Sequence, residues 1–188
     1  MVLKEYLSQI HPVAAPILEE YVSHWTQYSL PKKTIMTAPG EVERYMYFVT
    51  EGVQKSYHLH EEKQHVIAFT YPPSFSGIPE SFLTQTPSRY YLETITESAF
   101  LRLSFEKHQA LMQEHREIET LFRKAAEFFL VGMVQRHYEL MAYDIKTRFK
   151  AFAKRSPHLF QLVPHKDLAS YLRIDSTNFS KLLNSIRL

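Results

Sequence analysis

The chain contains no cysteine, so disulfides, thiolate zinc sites, iron–sulfur clusters and cysteine nucleophiles are excluded, and sulfur redox chemistry is confined to six methionines. Glycine is scarce as well, with four in 188 residues. There is no glycine-rich phosphate loop and no Gly-x-Ser-x-Gly elbow. Nucleotide folds built on clustered glycines are therefore disfavoured, and no motif supports catalysis. No apolar run approaches the roughly 20 residues that a bilayer requires. The N-terminal MVLKEYLSQIHPVAAPILEE lacks the pattern of a secretory signal. These absences predict a cytoplasmic protein with no membrane contact, no catalytic residues, no resident metal and no cofactor.

What is present is apolar and aromatic: 45% of residues are hydrophobic and 14% are Phe, Trp or Tyr, enough for one substantial core and a second small one. The formal net charge of +2 is unevenly spread. Residues 144–188 hold nine Lys and Arg against three Asp, a net +6, which leaves 13 basic and 17 acidic residues, a net −4, for the rest. A basic terminal module on an acidic body is the electrostatic footprint of a nucleic-acid contact.

That module carries the most informative pattern. In PHKDLASYLRIDSTNFSKLLNSIRL, residues 164–188, Leu168, Ala169 and Leu172 share one helical face. Ile174 falls in a turn, and Phe179 and Leu182 point back from a second helix. Ala169 leaves room for a close helix crossing, and Asp175 or Ser176 supplies the oxygen that caps the second helix. The turn position that usually holds glycine is Arg173, at a cost of about 1 kcal/mol if the backbone is left-handed there. A helix-turn-helix is expected, with a recognition helix from about Ser176 to Ile186. Any pair of amphipathic helices is the plainer alternative.

Upstream, residues 3–28 read as helical with a break near His11-Pro12. Between Tyr28 and Leu103, the runs 45–50, 54–59, 66–70 and 90–95 are β-branched and aromatic and are separated by Pro- and Gly-containing turns, which suggests a sandwich or jelly roll. From Glu106 to about Tyr143 a long helix is expected. Its segment 125–134, AAEFFLVGMV, is apolar almost all round. One face, Ile118, Phe122, Ala125, Phe129 and Met133, is assigned to a partner helix, and Leu121, Phe128 and Val131 to the β domain; an ordinary core helix is the plainer alternative. A basic amphipathic helix over 145–156 follows.

The order helix, roll, long helix, helix-turn-helix resembles the Crp/Fnr family of bacterial regulators. LPKKTIMTAPGEVERYMYFVTEGVQKSYHL looks like the first part of that family's roll, and VPHKDLASYLRIDSTNFSKLL like its DNA-binding helices. The resemblance implies an α+β chain. Residues 1–110 would form a cyclic nucleotide-binding-like β-roll (a jelly roll or double-stranded β-helix) with an N-terminal helix, 111–143 a long dimerisation helix, and 144–188 a winged-helix-like helix-turn-helix. It implies a homodimer whose recognition helices lie about 34 Å apart on double-stranded DNA, with Lys166, Ser176, Thr177, Asn178 and Lys181 as contacts.

In family members that bind cyclic nucleotide, a Gly-Glu-Leu loop and a later Arg hold the ligand, and Gly77, Glu80 and Arg89 are the matching positions. Pro79 interrupts the loop, and Tyr90 and Tyr91 stand where small residues let backbone amides approach phosphate. Cyclic nucleotide is therefore disfavoured, Arg89 reads as a solvated strand-end residue, and an aromatic or hydrophobic effector suits the roll better.

Two competing readings remain at this level. Gly52, His58 and His60, with His65 nearby, match half of a cupin metal motif, but Glu61-Glu62 looks like a hairpin tip and not the required ligand strand. A metal-dependent cupin-type enzyme is one alternative. The other is an effector-binding module whose terminal helices contact protein rather than DNA.

Overall fold

The computed structural model describes residues 2–185, and the expected end of the recognition helix at Ile186 lies outside them. In chain order the elements are α1 (Val2–Ile10), α2 (Ala15–Ser23), β1 (Thr26–Leu30), β2 (Ile35–Thr37), β3 (Tyr45–Glu51), β4 (Gln54–His60), β5 (Lys63–Thr70), β6 (Ser74–Ser76), α3 (Pro79–Thr84), β7 (Tyr91–Thr94), β8 (Ser98–Ser104), α4 (Phe105–Glu114), α5 (Arg116–Ala142), α6 (Ile145–Arg155), α7 (Leu159–Leu162), α8 (His165–Leu172) and α9 (Ser176–Ser185).

The strands form two four-stranded antiparallel sheets, ordered β1-β8-β3-β6 and β2-β7-β4-β5. Alternation along β3 and β8 sorts side chains to opposite faces. Tyr47, Val49 and Phe100 pack with Tyr28, Leu30 and Met36 between the sheets. Phe48 and Leu103 point the other way, under Leu3 and Leu7 of α1, Leu18 and Tyr21 of α2, and Ile118 and Leu121 of α5. Gln54 links the sheets from within: its amide donates to Ser98 Oγ (2.9 Å) and accepts from Thr70 Oγ1 (3.0 Å). Gly52 is fixed by sterics, with φ +85° and no room for a methyl, because a Cβ would sit 2.3 Å from the Glu97 carbonyl oxygen.

Several expectations need correcting. The helical reading of 3–28 gives way at Thr26, where a strand pairs with β8, and the helical part splits at the expected His11-Pro12 into α1 and α2. The long helix from Glu106 is interrupted at His115, which is extended (φ −123°) and separates α4 from α5. The tip at Glu61-Glu62 is as expected, a tight turn with both residues at positive φ between β4 and β5. No strand follows β8 among the described residues, so the terminal module has helices where a wing was expected. Pro157 and Pro164 frame the short α7 in the segment between α6 and α8.

The terminal helices own a second core of Phe149, Phe152, Leu159, Phe160, Leu168, Leu172 and Phe179. This core runs onto Val53, Phe69, Tyr71 and Ile95 of the roll.

Candidate functional site

Helices α8 and α9 meet across a three-residue turn. Leu168, Ala169, Leu172, Ile174 and Phe179 are buried together, and Leu182 packs against them half-buried. Arg173 adopts φ 52° and ψ 47°, the left-handed conformation expected of that turn position, and Ile174 N–H closes it by donating to the Ala169 carbonyl (2.9 Å). Of the two possible caps, Asp175 is the one used: its Oδ1 accepts from the Asn178 N–H at 2.9 Å. The amides at that helix start hold the Asp175 carboxyl below its usual range. Phe179 anchors α9, and Ser176, Thr177, Asn178 and Lys181 stand exposed, as does Lys166 on α8.

The opposite side of α8 is docked on the outer face of the β4–β5 pair. Lys55 Nζ donates to Asp167 Oδ2 and to Gln64 Oε1, both at 2.9 Å, and Glu93 lies 3.7 Å away. Both charges are desolvated, the Lys55 and Asp167 side chains being 7% and 5% exposed. Ser170 Oγ accepts from the Val66 N–H (3.0 Å) and donates to the Gln64 carbonyl (2.9 Å). Arg136 of α5 lies over the Tyr171 ring, 3.8 Å from its centroid, and donates to the Tyr171 carbonyl. Sequence reasoning missed Lys55, Asp167 and Ser170. The only local signal was a lysine in a strand run whose neighbours are buried.

The positions matching a cyclic nucleotide loop form a different local arrangement. Pro79 starts α3 instead of breaking the segment, Glu80 falls in its first turn, and Gly77 holds φ +144°. Glu80 and Arg89 do come together, at 3.0 Å, but they pair with each other at the surface, with the Arg89 side chain 71% exposed. Tyr91 is stacked on Tyr57 at 4.9 Å, and Tyr90 sits edge-on to His58.

On α5 the assigned partner face divides. Ile118 is wholly buried under α1 and α2, so it belongs to the intrachain core and not to a surface a partner could touch. Phe122 is half-buried against Tyr21, Phe75 and His108. Ala125 is partly exposed, and Phe129 and Met133 are exposed. Leu121 packs on the roll side as expected. Phe128 and Val131, assigned there too, are 64% and 68% exposed and do not pack on the roll.

The strand histidines do not gather a ligand set. His58 Nδ1 is 3.2 Å from the Arg89 carbonyl oxygen, and the rings of His60 and His65 are 6.3 Å apart. Among the described residues, the three donors close enough to share an ion are Glu20, Glu114 and His115, on the helical side of the molecule. Two of the three are exposed carboxylates.

Residues 27–115 match the family profile "Cyclic nucleotide-binding domain". No curated protein sequence matches the chain. Among solved structures, FixK2 from Bradyrhizobium japonicum is similar at TM-score 0.73 and 17% identity, covering 86% of this chain and 83% of that one. The catabolite activator protein of Thermus thermophilus follows at 0.58 and 16%, covering 94% and 84%. The c-di-GMP responsive global regulator CLP of Xanthomonas campestris gives 0.66 and 17%, covering 91% and 90%. Residues 27–115 are thus similar to the cyclic nucleotide-binding domain, and the chain shares its fold with these three proteins.

Proposed function

We propose that this protein is a homodimeric, DNA-binding transcriptional regulator of the Crp/Fnr type, non-enzymatic, whose roll senses a small effector other than a cyclic nucleotide. One observation carries the DNA-binding part: Phe179 fixes α9 in a core while Ser176, Thr177, Asn178 and Lys181 remain exposed at its start, on a module of net charge +6. Lys181 and Lys166 neutralise phosphates, and Ser176, Thr177 and Asn178 face base edges. Lysine lacks the planar fork that arginine offers guanine, so selectivity is modest or read partly through DNA shape.

The exposed stretch from Ala126 to Val134 of α5 supports the dimer, since a monomer would leave this apolar surface in water. The Glu80–Arg89 pair supports an effector other than cyclic nucleotide, because a phosphate would have to displace a carboxylate already on the arginine.

The test is retardation of a genomic fragment pool enriched in inverted repeats, at low and moderate salt. Binding is expected to fall steeply with salt, by about one unit of log–log slope per phosphate contact. Lys181→Ala and Lys166→Ala should each weaken it and flatten that slope. Absence of any retardation at low salt would overturn the reading.

A further inference from the structure

The Arg102 guanidinium lies half-buried against the aromatic wall of the roll, and among the described residues its buried Nε meets no acceptor. Arg102 shares its face of β8 with the interior residue Phe100, whereas Leu103 faces the helices. Its Cζ lies 4.0 Å from the Tyr28 ring centroid and 4.6 Å from that of Tyr45. Tyr47 continues the aromatic wall, 6.1 Å from Tyr28 and 6.2 Å from Tyr45. The two cation–π contacts compensate part of the charge. They leave the in-plane N–H edges free, and among the described residues no carboxylate lies within 4.0 Å and no acceptor meets the buried Nε. A buried N–H without an acceptor is costly unless a ligand supplies one.

The space beside it is an open cleft of about 470 Å³ whose lining includes Tyr28, Met36, Glu43, Arg44, Tyr47 and Arg102. That volume falls within the range of small-molecule sites, about 300–1,000 Å³. Glu43 is not the missing partner. Its Oε2 accepts from Thr37 Oγ1 (2.6 Å) and its Oε1 from the Tyr45 N–H (3.3 Å), and burial pushes its carboxyl upward. Burial also raises the Tyr47 phenol, which stays a neutral hydrogen-bond donor.

We propose that this cleft binds a small aromatic monocarboxylate, its carboxylate in the Arg102 fork and its ring beside Tyr47 and Met36. A planar two-oxygen anion matches the free edge of a guanidinium whose faces are already covered. Glu41 and Glu43 offset Arg44 and Arg102 in the lining, so the cleft carries no excess positive charge for a second anionic group. The site uses none of Gly77, Glu80 and Arg89. That it holds the carboxylate is independent of DNA binding, whereas its standing as the effector site rests on the regulator reading.

Titration calorimetry of the full chain without DNA separates the two. Benzoate is the probe, with acetate and inorganic phosphate as comparisons up to roughly 10 mM, weak by the scale of specific ligands. Saturable benzoate binding is expected, unchanged in Arg89→Ala and weakened about tenfold or more in Arg102→Met. Tyr47→Phe removes one hydroxyl from a ring that otherwise stays packed. It should weaken binding by about threefold, and it carries the test alone if Arg102→Met fails to fold. No saturable benzoate heat, equal binding of phosphate, or binding indifferent to Arg102→Met or Tyr47→Phe would overturn the assignment.

Discussion

Arg173 holds a left-handed backbone conformation that an L-residue with a Cβ enters at a cost of about 1 kcal/mol. The turn imposes it: Arg173 N–H ends the helix by donating to the Ser170 carbonyl (3.0 Å), and the Ile174 N–H reaches back to that of Ala169 (2.9 Å), a bond that does not form if Arg173 stays right-handed. The Arg173 side chain is exposed, so nothing it touches offsets the strain. Arg173→Gly should therefore stabilise the chain by about 1 kcal/mol and raise its melting temperature by about 2–4 °C. A melting temperature that falls would mean that the arginine side chain contributes more than its backbone costs.

Helices α2, α3, α4 and α5 converge on one imidazole. His108 is buried against Phe82 and Phe122 and shares a 3.0 Å hydrogen bond with Tyr21, and burial lowers its pKa to about 4. The unfolded chain, with His near 6.5, takes up that proton first as pH falls. The native state therefore keeps the full benefit above about pH 6.5 and loses it between there and about pH 4, a total of about 3 kcal/mol. Glu43, raised by burial, works in the opposite direction, favouring the native state at low pH. Urea titrations at pH 7, 5.5 and 4 should show a steeper loss for the unaltered chain than for His108→Gln. Parallel profiles would remove His108 as the source.

What could be read at this scale from sequence depended on how local the determinants are. The α8–α9 pair was legible because Leu168, Ala169, Leu172, Ile174 and Phe179 lie within 12 residues and close a core among themselves. Strands β3, β4, β5 and β7 were visible through their aromatic and β-branched runs. β8 was not, because Leu103 is buried on one face and Phe100 on the other, which erases the polar–apolar alternation. The bulge in β5 hid a face in the same way: Val66 and Phe69 pair with Tyr57 and Lys55, which share one face of β4, although their odd spacing assigns them to opposite faces. Lys55 and Asp167 are 112 residues apart, and no pattern in either segment announces the other.

For the whole molecule, the consequential surface is the part of α5 beyond the roll, where Phe128, Phe129, Leu130, Val131, Met133 and Val134 are all exposed. The proposed dimer would bury them, whereas a monomer leaves them in water. Phe129→Glu should dissociate the proposed dimer and leave each protomer folded, because Phe129 makes no part of the three intrachain cores. Sedimentation paired with circular dichroism reads both quantities. A stable monomer for the unaltered chain at micromolar concentration would exclude the dimer, and a stable dimer for the variant would exclude this face.

β5 is the last strand of its sheet, so its outward N–H and C=O groups have no strand beside them. Ser170 of α8 occupies two of them, and Tyr171 packs on Phe69 beside them. Uncovered sheet borders are templates on which another chain can add a strand. Any swing of the terminal helices away from the roll would bare Val66 and Phe69 beside the already exposed Ile67, so movement of the terminal unit and self-association would be linked. An opened state of this chain is adhesive, and its lifetime is set by how quickly α8 returns or another surface takes its place.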